Sequence, residues 1–182
     1  MAEDLFVLPL ATQLLACLCA EVQNQPNPPQ HCCYRVGVEV AHDAGPWADQ
    51  CCEGIAYVAL GDTYPSSDAF PEQDVIRQSN AVCSPPSWAQ RFKVGIIRCA
   101  PVGQDDGSPP TCDDWNAAAL QTIYDGLTLR RVQCCMREWV RANEGLFLGM
   151  SIVMERQVQG TPLGGCVERS FSIVIQFPNC DC

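Results

Sequence analysis

Residues 168–177 read ERSFSIVIQF, and this stretch decides the fold. Its large apolar side chains recur at every second position, with smaller or polar side chains between them. Because successive side chains of a β-strand point to opposite faces, the alternation predicts a strand with one face on a core. A second alternating run, Leu146–Met154, precedes it across a turn rich in glycine. Together the two runs predict a hairpin that closes the domain.

Three earlier segments also predict strands. Tyr34–Val40 alternates as a half-buried strand does, whereas Ile55–Leu60 is a continuous apolar run typical of a strand buried on both faces. Arg91–Cys99 places apolar side chains on one face and basic ones on the other. The strands before the hairpin are therefore three in number.

Two helices complete the pattern. In the first, Pro9–Glu21, the proline suits a helix start, and one face carries apolar residues. The second, Thr111–Val140, opens with Thr111 and Asp114 at capping-box spacing and carries Trp115, Ile123 and Leu127 at helical spacing. Gly126 inside this helix predicts a bend or a close packing contact.

The order of these elements predicts one α+β domain over residues 1–182. We expect a mainly antiparallel sheet with two helices packed on one face and a long inserted loop. That loop, Gly61–Ser87, contains four prolines. A loop of this length is usually functional, so it either reaches a neighbouring subunit or packs on its own body.

Composition excludes some classes of protein. The chain has 182 residues, is 47% hydrophobic and carries a net charge of -10, from 11 basic and 21 acidic residues. Such a balance favours a folded protein and disfavours nucleic-acid binding as the main function. The apolar run Leu5–Ala20 lacks a positive flank and is broken by polar residues, which predicts a core helix and neither a signal peptide nor a membrane span.

Fourteen cysteines are the most unusual feature of the composition. Three vicinal pairs occur, and neighbours in sequence rarely bridge each other. A metal site could draw on His31 and on four cysteines, namely Cys32, Cys33, Cys51 and Cys52. The favoured interpretation is a mixture of thiols packed in the core and a few disulfides formed outside the cell.

Motifs that carry chemistry are missing from the sequence. It contains no phosphate-binding glycine loop, no nucleophile elbow and no zinc-protease motif. His31 and His42 are the only histidines, and His31 beside Cys32 is a poor dyad because neighbours in sequence seldom face each other productively. The sequence therefore predicts a protein that is not an enzyme and has no cofactor.

Short phrases in the same order along nearly the whole chain resemble the cysteine-rich neck proteins of long-tailed actinobacterial phages. These phrases are Tyr64-Pro65-Ser66, Phe70-Pro71, Arg98-Cys99-Ala100-Pro101, Pro109-Pro110-Thr111 and Gly164-Gly165-Cys166-Val167. The layout of helices and strands, and the final hairpin above all, is similar to the tail terminators of lambda-like phages. Those terminators are shorter and are not rich in cysteine.

The resemblance implies a structural virion protein at the head–tail junction, assembled in the host cytoplasm. Six copies would form a ring that caps the tail tube protein and meets a head-completion protein above. DNA would pass through an acidic lumen without specific binding. We expect the Gly61–Ser87 loop and the Arg156–Gly165 turn to contact neighbours. The candidate interface residues are Tyr64, Phe70, Trp88, Arg130, Arg131, Arg156 and Leu163.

Two alternatives stay open at this point. Within the neck, the chain could form a head-completion or head-to-tail connector ring instead of the tail terminator. In a different class, the cysteines are compatible with a secreted, disulfide-rich binding domain.

Overall fold

The chain folds around one mixed sheet in the computed structural model, which describes residues 2–37, 52–66, 68–73, 87–103, 107–162 and 165–178. Its two long helices are α1 (Ala2–Val22) and α2 (Cys112–Ala142), and a short 3-10 helix spans Glu144–Phe147. The strands are β1 (His31–Val36), β2 (Ile55–Pro65), β3 (Ser87–Cys99), β4 (Ser151–Met154), β5 (Val158–Gln159) and β6 (Cys166–Pro178).

The sheet has the order β1-β2-β3-β6-β4, with β5 also paired to β6. All pairs are antiparallel except β1 and β2, which run parallel with Cys32 opposite Ala56. Both helices contribute to one apolar core with the sheet. The predicted α+β class, the mainly antiparallel sheet and the helices on one face are thus confirmed.

The alternation that decided the fold places its large side chains on the helix-covered face. Phe171, Ile173 and Ile175 of β6 are buried there beside Phe92 and Val94 of β3. Helix α1 contributes its predicted apolar face, which is also fully buried and comprises Leu10, Leu14, Cys17 and Leu18.

The predicted start of α1 is wrong, because the helix begins at Ala2 and contains Pro9. A proline inside a helix cannot donate to the carbonyl four residues earlier, so it usually marks a boundary. Here the residues that follow Pro9 are the ones anchored in the core.

Three strand bounds also differ from the predictions. β1 begins at His31, three residues early, and residues 38–50 lie outside the described part of the chain. β2 continues through the expected loop start to Pro65, because a register shift between Leu60 and Thr63 absorbs the intervening Gly61-Asp62. β3 begins four residues early, at Ser87.

The predicted strand Leu146–Met154 is only half formed. Residues 144–147 adopt a 3-10 helix that brings Phe147 edge-on to Trp139, with 5.3 Å between ring centres. Gly149 then adopts a positive φ of 79°, a conformation that interrupts a strand. The strand β4 starts only at Ser151, and it pairs with β6 as the predicted hairpin requires.

Three disulfides tie these elements together in the described part of the chain. Cys17–Cys135 joins α1 to α2 across 118 residues, and Cys19–Cys32 joins α1 to β1. Cys52–Cys99 joins the residues before β2 to the end of β3. Cys166 is disulfide-bonded as well.

A buried ion pair fixes α2 against the sheet. Arg98 of β3, 6% exposed, donates from Nη2 and Nε to the carboxylate of Asp125 at 3.0 and 3.2 Å, and Asp125 is 2% exposed. The same guanidinium donates to the side-chain oxygen of Gln25, just after α1, and Gln25 donates in turn to Thr128 of α2. One polar network therefore links both helices to the sheet.

Removal of one partner of this pair should be severely destabilising. We expect Asp125→Ala to lower the free energy of unfolding by about 3–5 kcal/mol, because it leaves the buried Arg98 charge uncompensated. Urea unfolding measures the change, with Glu138→Ala on the exposed side of α2 as the control. The paired replacement Arg98→Met with Asp125→Leu should cost less than Asp125→Ala alone. Equal effects of Asp125→Ala and Glu138→Ala would contradict the role assigned to the pair.

Candidate functional site

The outer face of α2 is the most distinctive exposed surface in the described part of the chain. We define this outer face by its exposed apolar and basic side chains. The apolar set is Trp115, Leu120, Ile123, Tyr124 and Leu127, and the basic set is Arg130, Arg131, Arg137 and Arg141. Ile123 is 55% exposed and Trp115 48% exposed, and apolar side chains grouped on a surface in this way mark a candidate interaction site.

The sequence explains why this face lies on the outside. The helix begins at a capping box in which Asp114 N donates to Thr111 Oγ1 and Thr111 N donates to the Asp114 carboxylate. Hydrogen bonds to the Asp114 carboxylate, from the Thr111 hydroxyl and then from the Thr111 backbone N–H, hold the pKa of Asp114 below its ordinary value. The helix is about 46 Å long at 1.5 Å per residue, and its buried residues begin only at Asp125. Its first three turns therefore extend along the surface with few contacts to the core.

Close packing at the middle of α2 sets the rotation of the helix. A Cβ on Gly126 would lie 2.6 Å from Cζ of Arg169, so any other residue at this position would displace that guanidinium. Gln157 donates to the Gly126 carbonyl at 3.1 Å from the same side. The predicted close contact at Gly126 is thus confirmed, and it directs Ile123 and Leu127 away from the sheet.

The C-terminal half of the outer face is basic within an acidic protein. Its four arginines are more than a third of the 11 basic residues of a chain whose net charge is -10. None of the four makes an ion pair with any residue that the structure describes. Arg137 and Arg141 also line a cleft of about 370 Å³ with Ile152 and Met154 of the edge strand β4. Unpaired guanidinium groups beside apolar side chains suit a partner that bears carboxylates.

The predicted interface residues fall into two groups, and their role stays a prediction. Arg130, Arg131 and Arg156 are exposed, so all three can reach a neighbour. The other described members face their own fold: Tyr64 is buried, Phe70 packs against it, and Trp88 packs on the main core. Leu163 lies outside the described residues.

The described part of the Gly61–Ser87 loop packs on its own body. Tyr64 donates to the Pro71 carbonyl at 2.5 Å, and Ser66 donates to the Glu72 carbonyl at 2.9 Å. Gln176 of β6 donates to the Ser66 carbonyl at 3.0 Å. Of the two interpretations of this loop, packing on its own body therefore applies to residues 66 and 68–73. Residues 74–86 lie outside the described chain.

The cysteine cluster proposed for a metal is not assembled. Cys32 and Cys52 are bonded to Cys19 and Cys99, which removes their thiolates as ligands. Cys51 lies outside the described residues, and within the described ranges no three potential ligands converge. His31 contacts Glu53 at 2.9 Å.

The free thiols among the described residues differ from the expectation of packed cysteines. Cys33 is half-buried, whereas Cys112 and Cys134 are exposed. The two described vicinal pairs, Cys32–Cys33 and Cys134–Cys135, each put one sulfur in a disulfide and leave the other free. In a strand or a helix adjacent side chains diverge, which explains this division.

A polar cluster lies on the sheet face opposite the helices. Tyr57 of β2 donates its hydroxyl to Glu168 of β6, and Lys93 of β3 pairs with the same carboxylate at 2.7 Å. The ring of Tyr57 crosses Gly95 of β3, where a Cβ would lie 2.7 Å from the hydroxyl. Gly95 is therefore needed for a contact that spans three strands.

Electrostatics keep this cluster in one protonation state. Burial and the neighbouring Glu168 carboxylate raise the pKa of Tyr57 far above its ordinary value. Burial also acts to raise the pKa of Glu168, but hydrogen bonds from Lys93 and Tyr57 outweigh it and hold that pKa below the ordinary value. A protonated tyrosine, an ionised carboxylate and a lysine that neutralises it form a satisfied structural group, poorly suited to proton transfer near neutral pH.

Helices able to cross a membrane do not occur in the described part of the chain. Comparison with known protein families gives no matching family, and comparison with curated proteins gives no matching sequence.

The sequence predicted helix α2 but did not predict that its evenly spaced apolar side chains lie on the solvent-exposed side. The spacing of Trp115, Ile123 and Leu127 is the same for a buried and an exposed face. Asp125, Gly126 and Thr128 were a signal for the buried side of the helix. Small and polar residues occur at close packing contacts as well as at solvent-exposed positions. The four arginines at positions 130–141 were a second signal for an outward face.

Acid should weaken the native state through Glu168. Because its pKa is depressed on folding, its stabilising contribution is present above the unfolded value of about 4.3 and is lost as pH falls through the folded value. We expect Glu168→Gln to be less stable than wild type near neutral pH and to lose less stability on acidification. Free energies of unfolding measured in urea across this pH range test it, and parallel curves for the two proteins would refute it.

Proposed function

We propose that this chain is a ring-forming structural subunit of the neck of a long-tailed phage, and specifically its tail terminator. In this role it acts without catalysis and without a cofactor. It caps the tail tube protein, meets the head-completion protein and resides at the head–tail junction of the virion after assembly in the host cytoplasm.

The observation that carries the proposal is the outer face of α2. Five large apolar side chains and four arginines without an ion pair to any described residue lie on this helix face, and they suit burial in an assembly. The ordered phrases quoted above connect this assembly to phage necks. The α+β architecture with a closing hairpin is the one that the resemblance implies.

Charge supports the passage of DNA through such a ring. A net charge of -10 repels the phosphate backbone, so a lumen lined by this chain does not retain the genome. In this role six copies close a ring by rotation, each using two different surfaces.

Electron microscopy of particles from a phage with this gene disabled tests the assignment. We expect overlong tails beside unattached, DNA-filled heads, because tube growth is not stopped. Complementation with the intact gene is the control. Free tails of normal length beside heads that have lost DNA would move the assignment to a head-completion or connector ring. Normal infectious virions would refute both neck roles.

A secreted, disulfide-rich binding domain is the second candidate, favoured by the three disulfides. Cleavage near Ala20, as expected for secretion, would remove Cys17 and Cys19 together with all described buried residues of α1 except Val22. The second candidate therefore requires a core without this helix, which weighs against it.

Mass spectrometry of the protein purified from virions distinguishes the two candidates. We expect peptides from the Met1–Ala20 segment, linked through Cys17 to a peptide containing Cys135 before reduction. Alkylation before reduction should label Cys112 and Cys134, which are exposed and free. A mature chain that begins after Ala20 would support the secreted domain instead.

A further inference from the structure

A second exposed apolar surface lies far along the chain from α2, between α1 and the β1–β2 edge of the sheet. It is a cleft of about 510 Å³. The side chains that line it include Val7, Leu8, Tyr34, Leu60, Phe92 and Phe177. Leu8 is 63% exposed and Leu60 53% exposed, so water covers apolar walls in the isolated subunit.

We propose that this cleft receives the N-terminal half of α2 from a second copy of the chain. This inference adds a subunit contact to the proposed ring, and it rests on the proposed function only for its biological setting. It makes the subunit contact heterologous: the helix of one copy enters the cleft of the next, whose own helix stays free for a third. Such a contact propagates and closes only by rotation, as a ring requires.

The spacing of the apolar side chains on α2 fits this mode of binding. Trp115, Leu120, Ile123 and Leu127 recur along one side of the helix at intervals of three to five residues. An amphipathic helix docks into an apolar groove through anchors at this kind of spacing. The first three turns of α2 are also the part of the helix with few contacts to its own core, so they can enter a neighbour.

Charge on the two surfaces is complementary. Asp62 is exposed between Leu60 and Thr63, both of which line the cleft. Among the described residues that line the cleft, none is basic. The arginines that follow the apolar half of α2 would thus approach the Asp62 carboxylate, which guides the approach and its register.

A mixing experiment with two variants tests the proposal. Ile123→Asp damages the helix surface and leaves the cleft intact, whereas Leu60→Asp damages the cleft and leaves the helix surface intact. Both residues are exposed, so both variants should unfold at temperatures close to that of wild type. Leu8→Asp is a second cleft variant, and Leu148→Asp, at an exposed site on neither surface, is the matched control. Native mass spectrometry and light scattering report the oligomers.

We expect wild type and Leu148→Asp to self-associate, and each surface variant alone to associate at least about tenfold more weakly. A mixture of Ile123→Asp and Leu60→Asp should give a one-to-one dimer, because one intact helix meets one intact cleft and no further contact can form. Added salt should weaken the dimer.

Three outcomes would overturn the inference. The first is wild type that stays monomeric up to its solubility limit. The second is undiminished association of Leu60→Asp and Leu8→Asp, which would show a symmetric contact between two α2 helices. The third is association of Ile123→Asp equal to that of wild type. These measurements use purified protein, so a negative result would overturn the contact between helix and cleft without deciding the neck role. The microscopy of particles tests the neck role without deciding this contact.

Discussion

The buried ion pair between Arg98 and Asp125 is the constraint on which the rest of the arrangement depends. Two charges removed from water are tolerable only when each is paired and its remaining hydrogen-bonding capacity is used. Nη2 of the guanidinium also donates to the side-chain oxygen of Gln25 and to the Asn27 carbonyl, at 2.6 and 3.0 Å. The network thus ties β3 to the segment that follows α1 and to the middle of α2.

This fixed crossing accounts for the exposed surfaces. Asp125 lies near the middle of a helix of 31 residues, so pinning it to β3 leaves the preceding turns beyond the core. The Arg169 guanidinium packs against Gly126, and Ile123 and Leu127 lie on the exposed side of the same helix. The apolar side chains on this side of the helix thus stay exposed while Asp125, in the same part of the helix, makes its buried polar contacts. Water exposure of the stripe follows from the fold, and its burial requires another molecule.

Local patterns in the sequence predicted most of the fold and little of the candidate site. The alternation in Phe171–Phe177 and the capping box at Thr111 depend on neighbouring residues alone, so both could be predicted and both are confirmed. The contact of Tyr57 with Glu168 across Gly95, the pairing of Cys17 with Cys135 and the parallel β1–β2 pair join residues distant in sequence. No local pattern encodes such contacts. The outward rotation of α2 belongs to the same group, because it follows from Arg98.

The bond between Cys17 and Cys135 joins two helices that also meet through other contacts. Cys17 is buried among Leu10, Leu14 and other core residues, where a free thiol packs as a small apolar side chain. The ion pair and the apolar core also bring α1, α2 and β3 together, so the bond between Cys17 and Cys135 is one of several contacts between these elements. Oxidation of the two thiols would then close a loop between residues 118 positions apart in the sequence. On this argument the bond between Cys17 and Cys135 stabilises an arrangement of helices that other contacts also hold.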